Sequence, residues 1–143
     1  MKTLRILTAA LMAIISFSAF AEDETNSEKL KMNYTVKTYI DAVTQGRVKE
    51  LAAVLESDAR FTLTQGERII NFSRYETLKW LKMNEGIRQN CSTDYKIIEM
   101  DASQAVVKIS LKYDTFSKIN LLSLANTKKG WKITNVSTSF IND

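Results

Sequence analysis

The sequence predicts an α+β domain in which helices cover one face of a mainly antiparallel sheet. Three observations predict it. Apolar residues at helical spacing dominate the first half of the chain. From Tyr95 onward the pattern becomes alternating runs split by short polar turns. Strands joined by such turns run antiparallel, and helices collected early with strands collected late place the helices on one sheet face.

The elements follow in order. Thr25-Asn26-Ser27-Glu28 has the form of a capping box, with the acid placed to bond back to the start of the helix. The helix it opens runs to about Gln45, with Met32, Val36, Tyr39, Ile40 and Val43 on one stripe. Gly46 supplies a left-handed C-terminal position. A second helix is expected from about Arg47, with Val48, Leu51, Ala52 and Leu55 facing inward and Ser57-Asp58-Ala59 ending it. Arg60 to Thr64 alternates as a half-buried strand does, Gln65-Gly66 turns the chain, and Glu67 to Phe72 forms the next strand. Ser73-Arg74-Tyr75-Glu76 is another capping box. It opens a helix to about Glu85, with Tyr75, Leu78 and Leu81 facing inward and Trp80 on a flank. Strands are then expected over Tyr95 to Met100, Ala105 to Tyr113, Lys118 to Ala125 and Trp131 to Phe140. Val107, Ile109, Leu111 and Tyr113 share a face.

The chain begins with an address. Lys2 and Arg5 precede an uncharged stretch from Ile6 to Phe20, and Ala19-Phe20-Ala21 is an A-x-A cleavage site followed by three acids. These are the parts of a secretory signal peptide, and the uncharged stretch is short for a membrane span. Residues 1–21 are therefore read as a leader cut after Ala21, and residues 22–143 as one periplasmic or secreted domain with no membrane segment left. Removing the leader leaves 18 basic and 16 acidic side chains, and no run of Lys or Arg exceeds two residues. That balance gives no support to a nucleic-acid role.

Composition excludes several chemistries. The chain has no histidine, which removes Ser-His-Asp and Cys-His catalysis and His-ligated zinc. Cys91 is the only cysteine, so no disulfide forms within the chain. With four glycines there is no phosphate cradle, and no acidic cluster suggests a metal loop. No cofactor and no metal are expected.

Four stretches carry a resemblance: Tyr39-Ile40-Asp41-Ala42 with Gly46 and Leu51; Leu55 through Asp58-Ala59-Arg60-Phe61; Tyr75-Glu76 through Trp80-Leu81; and Asn120 to Leu124 with the later Gly130-Trp131-Lys132-Ile133. In these the chain resembles the nuclear transport factor 2-like superfamily. It is most similar to a secreted bacterial branch labelled "putative lumazine-binding". The resemblance implies a cone, with three helices in the concave face of a curved sheet of about six strands. It implies a pocket at the open end of the cone and, through the convex sheet face, a homodimer. Steroid isomerases of that superfamily carry a general-base Asp five residues past an Asp-Ala junction. Here Asp58-Ala59 puts Leu63 at that place, and a leucine takes no proton.

The pocket candidates are Tyr34 and Tyr39 from the first helix, Trp80 from the third, and Tyr113 and Trp131 from the sheet. Aromatic residues at such spacings also serve as plain core, and stacking on a flat ligand is the functional alternative. No catalytic residue is assigned. Three functions stay open: binding of a small organic ligand, a steroid-isomerase-like proton transfer with Tyr113 and Asp114 as first suspects, and an assembly module acting through the sheet. In the last, Leu121, Leu122 and Leu124 make the strand apolar on both faces.

Overall fold

The structure is a computed structural model that describes residues 31–142. The leader, its cleavage site at Ala21 and the Thr25 capping box lie outside the described residues. Helix α1 occupies residues 31–45, α2 is Leu51–Val54 and α3 is Arg74–Met83. The strands are β1 (Leu55–Gln65), β2 (Arg68–Ser73), β3 (Ser92–Met100), β4 (Gln104–Lys112), β5 (Phe116–Thr127) and β6 (Gly130–Asn142). They form one sheet in the order β2-β1-β6-β5-β4-β3. Every pairing is antiparallel except β1 with β6, which run parallel. That is the expected α+β arrangement: three helices on a mainly antiparallel six-stranded sheet.

The register sorts the concave face into rows. Leu63, Thr138, Asn120 and Ile109 pair in series across β1, β6, β5 and β4. One row over, Phe140 pairs with Lys118 and Lys118 with Leu111. On the other side lie Phe61, Val136, Leu122 and Val107. Met32, Val36, Tyr39 and Ala42 of α1 are buried against this face, as are Val107, Ile109, Leu122, Leu124, Ile133 and Val136 from the sheet. Each fully buried aliphatic side chain of this kind contributes about 1.5–3 kcal/mol. The Thr35 hydroxyl donates to the Trp131 carbonyl at 3.0 Å and fastens α1 to β6.

Three local expectations are corrected. The second helix is a single turn, and residues 46–50 are loop and turn. Those residues are used in docking: Gly46, at φ 68°, accepts a 3.0 Å bond from Gly86 N–H, and Arg47 N–H closes back to the Asp41 carbonyl. Strand β1 starts at Leu55, with Ser57-Asp58-Ala59 inside it. The ladder to β6 jumps from Leu55↔Ile133 to Arg60↔Asn135, so residues 56–59 form a bulge, held by the Glu56 carboxylate. Tyr75 is 71% exposed, because the inward stripe of the short α3 centres on Leu78 and Leu81. The Ser73 capping box forms with both arms in place.

The leucines of β5 divide by strand parity. Leu122 and Leu124 are buried under the helices, and Leu121 alone turns outward, 42% exposed. Its cross-strand neighbours there are Lys108 and Ser137, so the outer face is more polar than the run of leucines suggests.

Candidate functional site

A cavity of about 500 Å³ lies between α1, α3 and the concave side of β1, β2, β5 and β6. Its apolar wall is Val43, Phe61, Leu63, Phe72, Trp80, Leu81 and Phe140. Tyr39, Thr138, Lys118, Thr62, Thr77 and Glu76 supply the polar atoms. Size and lining match a small-molecule site, which is mostly apolar with a few placed polar groups.

Each wall follows from a local pattern. The alternation of β1 turns Phe61 and Leu63 to the concave side, and antiparallel pairing sets Phe72 of β2 opposite Phe61. Helix α3, started by its Ser73 cap, presents Trp80 and Leu81 over the cavity. Strand β5 puts Lys118 and Asn120 on one face, Cα atoms about 7 Å apart.

Beside the cavity the polar groups are linked. Asn120 is fully buried; its Nδ2 donates to Tyr39 Oη at 3.0 Å, and its Oδ1 accepts from Thr138 Oγ1 at 2.8 Å. Burial pushes the Tyr39 phenol well above its ordinary pKa, against the smaller lowering effect of the Asn120 bond. Tyr39 therefore stays a neutral hydroxyl at any physiological pH. It accepts from Asn120, so its own proton is available to an acceptor in the cavity.

The charged groups differ in their freedom. Glu76 accepts from Ser73 N–H at 2.7 Å, and that bond, with the Ser73 hydroxyl, holds its carboxyl below the ordinary range. Lys118 has its pKa lowered by burial, with a smaller opposing effect from Cys91. It makes no hydrogen bond or ion pair to any described residue.

Of the five pocket candidates, the structure brings Tyr39 and Trp80 to this cavity. Tyr34 is 59% exposed and donates to Glu50 Oε2 at 3.2 Å, on the rim of a separate cleft with Asp41 and Arg47. Trp131 is buried in the core under α1. Tyr113 stacks on Phe116, ring centroids 4.6 Å apart, and donates to Gln89 Oε1. Burial first, then Cys91, raises its pKa to about 12. It lies one row beyond Lys118, and neither cavity includes it. The sequence reading missed Phe61, Phe72, Phe140, Lys118, Asn120 and Thr138 as cavity or network residues. One signal for two of them was present: Leu122 and Leu124 face the core, so Lys118 and Asn120, at the same parity, must face it too.

Among the described residues no cluster of metal-ligating side chains occurs, and no helix is long and apolar enough to cross a membrane. The helical cover, the six-stranded sheet and the cavity between them define a protein of the nuclear transport factor 2-like class. Within that class the chain belongs to the family described as "Putative lumazine-binding", whose model matches residues 27–138. Solved structures share the fold at low identity. An NTF2-like protein of unknown function from Silicibacter pomeroyi aligns with TM-score 0.67 and 13% identity, over 83% of this chain and 98% of its own. An NTF2-like protein of unknown function from Methylobacillus flagellatus gives 0.63 and 16%, over 80% and 93%. A ketosteroid isomerase-like protein from Erwinia carotovora atroseptica gives 0.58 and 15%, over 78% and 94%. No curated protein sequence matches the chain.

Proposed function

We propose that the chain is an exported binding protein that holds a small, flat organic ligand in the cavity between α1, α3 and the sheet, without catalysis. The observation that carries this reading is the cavity itself. About 500 Å³ of space is walled by Phe61, Phe72, Trp80 and Phe140, with the Tyr39 hydroxyl as a neutral hydrogen-bonding group at its edge. The family description, which names a lumazine, agrees with a ligand of that shape. Binding is favoured over proton transfer because Leu63, on the cavity wall, stands where the steroid-isomerase resemblance sets a general base. Among the described residues the carboxylate on the cavity wall is Glu76, and it is engaged as a helix cap. Export rests on the leader pattern of residues 1–21. A homodimer through the convex face is the companion reading, supported by the exposed Leu121 and Ile141.

Trp80 tests the binding reading. A panel of flat heterocycles, lumazine included, is titrated while tryptophan fluorescence and thermal stability are followed. A true ligand changes the emission of the wild type and raises its stability by about 2.7 kcal/mol at a hundred times Kd. In Trp80→Phe the emission change disappears, since the remaining Trp131 is buried away from the cavity. A panel that shifts neither stability nor emission counts against the proposal.

A further inference from the structure

The chemistry around Lys118 narrows the ligand class, and the argument rests on the cavity reading above. Among the described residues Lys118 is the only basic side chain on the cavity wall. It stands on β5 between Phe140 of β6 and Leu111 of β4, and two residues from the buried Asn120. Its immediate neighbours along the same strand face are aromatic and amide: Phe116 on one side, Asn120 on the other. A half-buried ammonium in such surroundings loses hydration and, among the described residues, gains no carboxylate in return. The effect of Cys91 on it is smaller than that of burial and offsets it only in part, so a cation placed here is costly to the empty protein. It becomes favourable once a bound anion pairs with it, the more so as the ligand shields the pair from water.

The rest of the wall sets the body that carries the anion. Four aromatic side chains, Phe61, Phe72, Trp80 and Phe140, come from three strands and a helix and surround one space. Rings offer flat faces and edges, which favour a planar π-system. The Tyr39 hydroxyl is fixed by Asn120, and Asn120 lies about 7 Å along β5 from Lys118. A ligand spanning that interval meets a cation at one end and a neutral hydroxyl at the other.

We infer that the ligand of this cavity is a planar aromatic acid, its carboxylate paired with Lys118 and its rings packed among Phe61, Phe72, Trp80 and Phe140. The carboxylate selects for charge and the rings for shape. Lys118 is thus a specificity residue for the cavity.

The test compares 2-naphthoate, its neutral analogue 2-naphthamide, and decanoate, an acid without rings. Each is titrated calorimetrically into wild type, Lys118→Met and Lys118→Arg, all first checked for folding by circular dichroism. The expected result is that wild type binds naphthoate at least tenfold more tightly than naphthamide or decanoate. Lys118→Met loses the preference for the acid while its affinity for the amide stays within about twofold. Lys118→Arg keeps the preference. Equal binding of acid and amide by wild type overturns the inference and leaves the cavity reading standing, as does a preference that survives in Lys118→Met. Tighter binding of decanoate overturns the aromatic part. Binding of none of the three overturns this inference and counts against the cavity reading with it.

Discussion

Asn120 of β5 and Tyr39 of α1, 81 positions apart in the chain, are joined by a 3.0 Å hydrogen bond in which the buried amide donates to the phenol oxygen. The bond ties the first helix to the middle of the sheet and fixes a hydroxyl at the edge of the cavity. Thr138 completes it by donating to the other end of the same amide. A helix, two strands and a binding surface thus depend on one asparagine.

Removing the phenol oxygen strands that asparagine. In Tyr39→Phe the ring still fills its place, but Asn120 Nδ2 loses its acceptor in a buried setting. An orphaned buried donor costs about 1–3 kcal/mol. Urea unfolding should show a loss in that range. Because the two side chains form one unit, adding Asn120→Leu to Tyr39→Phe should cost less than the sum of the single changes. Full additivity would show that the bond contributes nothing to stability.

Lys118 should have the opposite sign in the empty protein. Its folded-state pKa lies below the unfolded value, so between the two the unfolded chain binds more protons and stability rises with pH. Below both values the ammonium is retained in the fold and its desolvation is felt in full. Lys118→Met removes that burden. The variant should be more stable than wild type by about 1–2 kcal/mol at neutral pH. The gap should narrow as pH rises toward the ordinary lysine range. Thermal melts of both proteins at several pH values measure it. A variant less stable than wild type throughout would show that the ammonium is better solvated than its surroundings imply.

Gly46 and Gly66 separate two penalties. Both have φ near +60°, at 68° and 61°. At Gly66 an added Cβ meets nothing within 4 Å, so Gly66→Ala incurs only the left-handed strain, about 1–2 kcal/mol. At Gly46 the same Cβ lands 2.4 Å from Gly86 N, on backbone that cannot yield without breaking the Gly86 N–H to Gly46 carbonyl bond. Gly46→Ala should therefore lose at least about 2 kcal/mol more than Gly66→Ala. Comparable losses in denaturant titrations would contradict the close approach of residues 46 and 86.

Asp101 carries an acid-side prediction. Its Oδ1 accepts from Ser103 N–H, Gln104 N–H and the Ser103 hydroxyl, at 2.8 to 2.9 Å, in the β3–β4 turn. The backbone bonds from Ser103 and then Gln104 hold its carboxyl below the ordinary range. The contribution is present above the unfolded-state pKa and is lost as pH falls through the lower folded value. Asp101→Asn should flatten this part of the acid limb of the stability profile while leaving the neutral and alkaline limbs parallel to wild type. An unchanged acid limb would show that the turn holds without the carboxylate.

Much of this fold was legible because short-range rules govern it. The Ser73 box, the β4 alternation of Val107, Ile109 and Leu111, and the turn at Gly66 depend on neighbours in sequence. The parallel pairing of β1 with β6 does not, since it joins residues as distant in sequence as Phe61 and Val136 and no turn reports it. The bulge at residues 56–59 escaped for a related reason. Ser57-Asp58-Ala59 has the composition of a helix end, and only the partner strand reveals that it is extra length in a ladder. At the site, Tyr39 and Trp80 were visible as aromatic residues on helices. Lys118, Asn120 and Thr138 were hidden because polar residues in a strand read as solvent-facing unless parity is carried through from Leu122 and Leu124.

Binding of a small organic molecule in the cavity underlies the proposed function. Native mass spectrometry on the gently purified protein tests it most directly, run beside a Leu63→Trp variant that fills the cavity. A discrete small adduct is expected on the wild type and a bare mass on the variant. A wild type that stays bare through a screen of aromatic acids and heterocycles, or an adduct kept by Leu63→Trp, would contradict it.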